Sequence, residues 1–219
     1  MSEMATSQEK KEWILFIDGK KWISENLEKG IEDSEYVMMG VEDPNEILGF
    51  SNKETFKKWA DSKGVLQKYD QLMDGLSKAR NIKYPTTSGE EEEMRKKLVK
   101  DFRDKNKRFC EILREQKIEP YEIEKIKELQ KKYDFLHSAI LFDSIHMLRS
   151  YILLPRGFHP KLSWYQFNDR TESCINFEYD TNWMIIFRQT WFRGDFRIIN
   201  WRSSDLGSFQ RQASSAIIL

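Results

Sequence analysis

The chain has 219 residues, 39% apolar and 33% charged, and its 36 lysines plus arginines balance 36 aspartates plus glutamates. That balance leaves no global field to draw nucleic acid or an acidic membrane, and no apolar run approaches the ~20 residues that span a bilayer. With a mean hydropathy of −0.70 and 13% aromatics, the chain reads as soluble and charge-rich, with rings enough for compact cores.

Residues 1–11 are polar and carry no apolar h-region, so no secretory signal is expected. Cys110 and Cys174 sit in regions of different character, which predicts free buried thiols and a cytoplasmic protein. Asp18-Gly19 separates Trp13-Ile-Leu-Phe-Ile17 from Lys20-Lys-Trp-Ile23. This predicts a two-residue hairpin, because a type I′ turn needs positive φ at both positions. Asn26 to Glu35 reads as an acidic loop. Tyr36-Val-Met-Met39 and Ile47-Leu-Gly-Phe50 read as strands around the turn-like Glu42-Asp-Pro-Asn-Glu46. Ser51-Asn-Lys-Glu54 is a capping box that opens a helix to about Ser62, with Phe56, Trp59 and Ala60 on one face and Gly64 closing it. Residues 1–64 are therefore expected as a small α+β module, its aromatics forming its own core.

From Val65 the composition turns to lysine, glutamate and leucine. A helix is expected to Arg80, then a break containing Pro85. Ser88-Gly-Glu-Glu91 is a second capping box, opening a helix to about Gln116. Its stripe is Met94, Leu98, Phe102, Phe109 and Leu113, interrupted by Asn106. Pro120 is expected to begin a third helix, along which Tyr121, Ile123, Ile126, Leu129, Tyr133 and Leu136 recur at helical spacing. The short connection makes the last two helices an antiparallel hairpin. Residues 65–137 thus read as a helical segment whose hairpin either closes on itself or receives a protein partner or a second copy. Its charges alternate in sign, as on a solvated face.

Residues 138–219 keep a single lysine, Lys161, and read as all-β. The stretch is written twice. Phe167 to Phe177 lies over Phe209 to Leu219, a spacing of about 42 residues that marks a repeat. Ala139-Ile-Leu-Phe142 lies over Met184-Ile-Ile-Phe187, and Tyr151-Ile-Leu-Leu154 over Phe196-Arg-Ile-Ile199. Three motifs carry a family resemblance. One is Phe187-Arg-Gln-Thr-Trp-Phe192-Arg-Gly194. The second is Asn168-Asp169 followed by Glu172-Ser173. The third is Ser214-Ser215 before the last strand. Together they resemble the βγ-crystallin domain, over about the last 80 residues. The first copy departs from the pattern, since Arg149 stands near the position of Gly194.

The resemblance implies a double Greek-key sandwich with two shared calcium sites. In each, the second Asn/Asp position of one loop works with the hydroxyl of the other. One site pairs Asp169 with Ser214, aided by Asn168. The other pairs Arg211 with Glu172, where an ion pair is expected in place of metal. Calcium needs six to eight oxygen ligands, so two readings stand: one weakly held calcium at Asn168, Asp169 and Ser214, or a plain turn without metal. The overall expectation is an α+β multi-domain chain: a small N-terminal module, a central helical hairpin and a C-terminal all-β double Greek-key sandwich.

No catalytic pattern emerges. His137, His146 and His159 lack zinc spacing, and neither cysteine has an activating base in view. There is no Gly-rich phosphate loop, and carboxylate pairs occur inside charge runs. Packing accounts for Trp164 and Trp201 better than sugar binding does. The expected function is non-enzymatic: a structural or stress-related protein with weak or vestigial calcium binding and no nucleic-acid or membrane partner. Two alternatives stand beside it: a protein–protein interaction module acting through the helical hairpin, and a peptidase inhibitor on a crystallin-like fold.

Overall fold

The turn at Asp18-Gly19 has φ of 49° and 80°, and it folds β1 (Ile14–Ile17) against β2 (Lys20–Lys21) as an antiparallel hairpin. The computed structural model describes residues 13–23, 26–39, 46–147, 150–177, 183–203 and 205–219. The turn-like stretch expected at 42–45 lies outside the described residues, as does Arg149. Where an acidic loop was expected, α1 (Leu27–Glu32) forms, because the Asn26 side chain accepts from the Lys29 amide and caps it. β3 (Tyr36–Met39) and β4 (Glu46–Phe50) follow as an antiparallel pair, and β4 lies parallel to β1.

α2 (Lys53–Ser62) and α3 (Leu66–Arg80) come next. The capping box of α2 sits one residue later than expected, on Asn52 and Thr55. Ser51 is drawn away: its amide and hydroxyl both donate to the Asp18 carboxylate, at 3.0 and 2.7 Å. α4 (Ser88–Gln116) is capped one residue earlier than expected, by Thr87 with Glu90. α5 (Ile123–Gln130) starts after Pro120 and stops short of Leu136. The chain turns into the next strand there, through a 3₁₀ turn at Asp134–Leu136 that Gln130 braces by donating to the Leu136 carbonyl at 2.7 Å.

The repeat supplies β5 (Ser138–Phe142), β6 (Tyr151–Pro155), β7 (Gly157–His159) and β8 (Ser173–Asn176) from its first copy. The second copy gives β9 (Met184–Phe187), β10 (Phe196–Ile199), β11 (Arg202–Ser203) and β12 (Ser215–Ile218). One sheet runs β11-β8-β5-β6 and the other ends β10-β9-β12-β7. Each sheet thus takes three strands from one copy and one from the other, an exchange that locks the two copies together.

The N-terminal strands do not make a sheet of their own. β3 pairs in parallel with β10, Met38 opposite Ile198, and the second sheet grows to eight strands, β2-β1-β4-β3-β10-β9-β12-β7. The physical reason is the edge of β10: its unpaired amides and carbonyls accept any apolar strand brought alongside. The steps in composition near residues 64 and 137 fall between elements, yet the apolar clusters cross them. Val37, Met39, Leu141, Ile186 and Phe209 share the cluster between the sheets. Phe56, Leu72, Trp183, Ile185 and Ile217 share the outer cluster under α2 and α3. Gly75 lets α3 lie close to the sheet, since a Cβ there would stand 2.6 Å from Leu219 Cδ2.

On the other side, Phe109 and Leu113 of α4 and Ile123 and Ile126 of α5 join Ile140, Leu153 and Ile175 of the four-stranded sheet. Of the apolar stripe of α4, Phe109 and Leu113 are turned onto this sheet. The architecture is four layers, helices–sheet–sheet–helices. α4 crosses the edge strand β6, and Asn106 marks the crossing. Its Nδ2 donates to the Leu153 carbonyl and its Oδ1 accepts from the Leu153 amide, both at 2.8 Å. N-terminal to it, Val99 and Phe102 reach the cluster between the sheets; C-terminal to it, Phe109 reaches the cluster between α4, α5 and the four-stranded sheet. The interruption in the apolar stripe is the residue that satisfies the strand edge.

Candidate functional site

The two polar loops that precede β8 and β12 meet across a pseudo-two-fold axis. Asp169 and Arg211 hold equivalent left-handed conformations, φ 52° and 53°. For arginine this costs roughly 1 kcal/mol, offset by the contacts it makes there. The Asp169 amide donates to the Ala213 carbonyl at 3.1 Å, and the Arg211 amide to the Thr171 carbonyl at 2.8 Å. Glu172 and Ser214 occupy equivalent positions, donating their amides to Phe142 and Phe187 and accepting from Leu206 and Leu162. One backbone pattern is therefore built twice.

The side chains on it differ. Ser214 Oγ donates to Asp169 Oδ1 at 3.2 Å, and Asn168 Nδ2 donates to Asp169 Oδ2. At the equivalent place Arg211 Nε donates to Glu172 Oε1 at 2.5 Å, and the Ile145 amide donates to Glu172 Oε2 at 3.2 Å. The Glu172 side chain is 11% exposed and that of Arg211 is 71% exposed. The structure thus brings together all three residues expected to hold metal, and it forms the ion pair expected at the second position.

The next serine in each copy has a separate task. Ser173 donates to the Ser144 carbonyl at 2.6 Å, and Ser215 donates to the Gln189 carbonyl at 2.6 Å. Each ties the folded-over hairpin of its own copy to the strand. In those hairpins His146 and Met147 have φ of 61° and 63°, and Trp191 and Phe192 have φ of 59° and 60°. Both copies use the same pair of left-handed residues, and in the second copy Gly194 follows at φ 71°.

The doubled strand pattern, the exchanged strands, the folded hairpins and the serine ties together decide the fold of this segment. Residues 138–219 form a βγ-crystallin-like domain. Comparison with solved structures finds the same likeness over about a third of the chain. A βγ-crystallin from Ciona intestinalis is 20% identical, covers 37% of this chain and 99% of its own, and has a TM-score of 0.34. The N-terminal domain of Protein S is 16% identical over 37% of this chain and 94% of its own, TM-score 0.33. An archaeal βγ-crystallin is 12% identical over 37% of this chain and 96% of its own, TM-score 0.33. No protein-family model and no curated protein matches the sequence.

For calcium, the donor chemistry of the two crystallin-like loops differs sharply. The Asp169 side offers one carboxylate and the Ser214 hydroxyl, short of the six to eight oxygens a calcium ion takes without further carbonyls and waters. The Arg211 side presents a guanidinium and does not fit a cation. Among the described residues, no cluster of three or more His, Cys, Asp or Glu is placed to hold a metal.

His159 and Cys174 are packed into the domain, whereas Cys110 is half-buried on α4 and His146 is exposed. His159 is buried, and its Nε2 donates to the Pro155 carbonyl at 2.7 Å, which leaves Nδ1 to accept from the Tyr165 hydroxyl at 3.1 Å. Burial pushes the imidazole down to about 4. Burial likewise raises the Cys174 thiol to about 12, far from a reactive thiolate. Cys110 Sγ lies 3.8 Å from the Tyr151 hydroxyl, with no base beside it among the described residues. Two groups that the sequence reading passed over, Arg188 and Arg197, line a cavity beside the domain. Their signal was the replacement of lysine by arginine after residue 138.

Proposed function

We propose that the protein is a non-enzymatic structural protein whose crystallin-like loops are bridged mainly by protein groups, with one weak calcium position left at Asp169 and Ser214. The Arg211–Glu172 pair carries this reading. It stands on the same backbone pattern as Asp169 and Ser214, and a guanidinium supplies there the positive charge that a cation would otherwise bring. The free thiols of Cys110 and Cys174 support a reducing, cytoplasmic setting. Among the described residues, no helix is long and apolar enough to cross a membrane.

Calorimetry and thermal melts on the full chain test the proposal. Calcium should bind at one position with about millimolar affinity, Asp169→Ala should remove that heat, and chelator should leave the melting temperature nearly unchanged. Two calcium ions bound, or a large loss of stability on chelation, would overturn it. Absence of any calcium heat would remove the remaining calcium position and leave a metal-free sandwich.

A further inference from the structure

A cavity of about 500 Å³ opens where β3 joins β10, between the N-terminal strands and the crystallin-like domain. Two arginines line it. Arg197, on β10, is only 4% exposed. Its Nη1 donates to the Phe196 carbonyl at 2.9 Å, and its guanidinium lies 4.8 Å from the centre of the Phe209 ring. Arg188, just past β9, sits 5.5 Å from the same ring and gives Nη1 to Asp195 at 2.9 Å. Its Nε is buried with no partner among the described residues. Asp195 therefore pairs directly with Arg188 and attracts Arg197 only from a distance; among the described residues no carboxylate makes a direct ion pair with Arg197.

A ring face offsets part of the cost of desolvating a guanidinium, but a buried charge without a direct ion pair remains expensive. Burial and the neighbouring Arg188, opposed in part by Asp195, bring the Arg197 pKa down to about 10, so it stays charged at neutral pH. The rest of the charged lining is of opposite sign. Besides Asp195, it comes from α1 and the step into β3: Glu28, Glu32 and Glu35, all exposed. A simple polyanion would meet four carboxylates here, and a simple polycation would meet two guanidinium groups.

We propose that this cavity binds a small zwitterion of the amino-acid class, with its carboxylate on Arg197 and Arg188 and its ammonium on the glutamates of α1 and the β3 approach. The volume lies within the range of small-ligand pockets. Such a ligand touches both the N-terminal strands and the crystallin-like domain, so its binding stabilises the joint between them. The assignment is independent of the calcium position, which lies on other loops.

Thermal melts and calorimetry on the full chain test it. The probes are the free L-amino acids, their N-acetyl and methyl-ester derivatives, and inorganic phosphate and acetate. At least one free amino acid should raise the melting temperature and give saturable heat. Its N-acetyl form, which lacks the ammonium, and its ester, which lacks the carboxylate, should bind about tenfold or more weakly. Arg197→Gln should abolish binding. The combined Glu28→Gln, Glu32→Gln and Glu35→Gln variant changes only exposed positions and should weaken binding about tenfold or more. If Arg197→Gln does not fold, this triple variant together with Arg188→Gln decides the matter. No binding by any free amino acid would overturn the proposal. So would phosphate or acetate binding as tightly and without regard to the three glutamates.

Discussion

Strands β6 and β10 are equivalent edges of the two crystallin-like sheets, and the protein closes them in opposite ways. Leu153 on β6 and Ile198 on β10 hold matching places in the repeat. At Ile198 a whole strand is added, with Met38 opposite in a parallel ladder. At Leu153 a helix crosses, and one amide side chain, Asn106, meets both backbone groups. The difference shows that an exposed strand edge sets a requirement for donors and acceptors, and that a strand or a single well-placed side chain can meet it. It also explains why the sheets end so unequal, at eight and four strands, although the repeat that generates them is symmetric.

The most damaging way to break this comparison is at the added strand. Met38 is fully buried, so Met38→Asp puts an uncompensated charge into the outer cluster and should cost about 3–5 kcal/mol. Because the apolar clusters span the seam, urea unfolding should remain one cooperative transition at a lower midpoint. A split into two transitions would show that the N-terminal strands form an independent unit.

Acid should reach the exchanged strand β7 without touching either edge. His159 is neutral and buried there, with its folded pKa depressed from 6.5 to about 4. The unfolded chain therefore takes up a proton first as pH falls. Stability present above pH 6.5 should be lost between there and about pH 4, to the extent of about 3 kcal/mol. His159→Gln should flatten that part of the stability profile, and an unchanged slope would remove His159 as its cause.

At the helix-closed edge, Asn106→Leu strands the Leu153 amide and carbonyl beneath α4, for an expected loss of about 2–3 kcal/mol. Hydrogen exchange gives the sharper measurement: protection should fall at Leu153 and persist at Ile198. Equal loss at both would mean that the edges are coupled rather than closed separately. The smallest effect belongs to the loops. Arg211→Gln removes an ion pair whose arginine is largely exposed, so about 0.5–1 kcal/mol should be lost. High salt should weaken the wild-type chain by a comparable amount.

The two capping boxes show how far local reading carries and where it slips. Ser51-Asn-Lys-Glu54 and Ser88-Gly-Glu-Glu91 each located a helix start, but both caps moved by one residue. Ser51 was claimed by Asp18 from a distant turn, and Thr87 offered the same hydroxyl chemistry one step earlier than Ser88. The loop residues Asp169, Ser214, Glu172 and Arg211 were legible because the repeat aligns them in pairs. Asn106 was visible as an interruption, but its partner on β6 was not. Arg197 had no local signal beyond being an arginine in a strand of isoleucines.

By itself the sequence determined what is encoded over short distances or by repetition. The Asp18-Gly19 hairpin, the spans of α2 to α4, the doubled β pattern and the exchange of Asp for Arg between the two loops all follow from turn chemistry, periodicity and alignment. Only the tertiary structure decided that β3 joins β10, that Asn106 closes β6, and that Arg197 ends up buried beside Arg188 without a direct ion pair among the described residues. Those outcomes depend on backbone groups left unpaired at an edge and on which surfaces meet across the chain. Any apolar strand can satisfy an open edge, and no local pattern names the one that will.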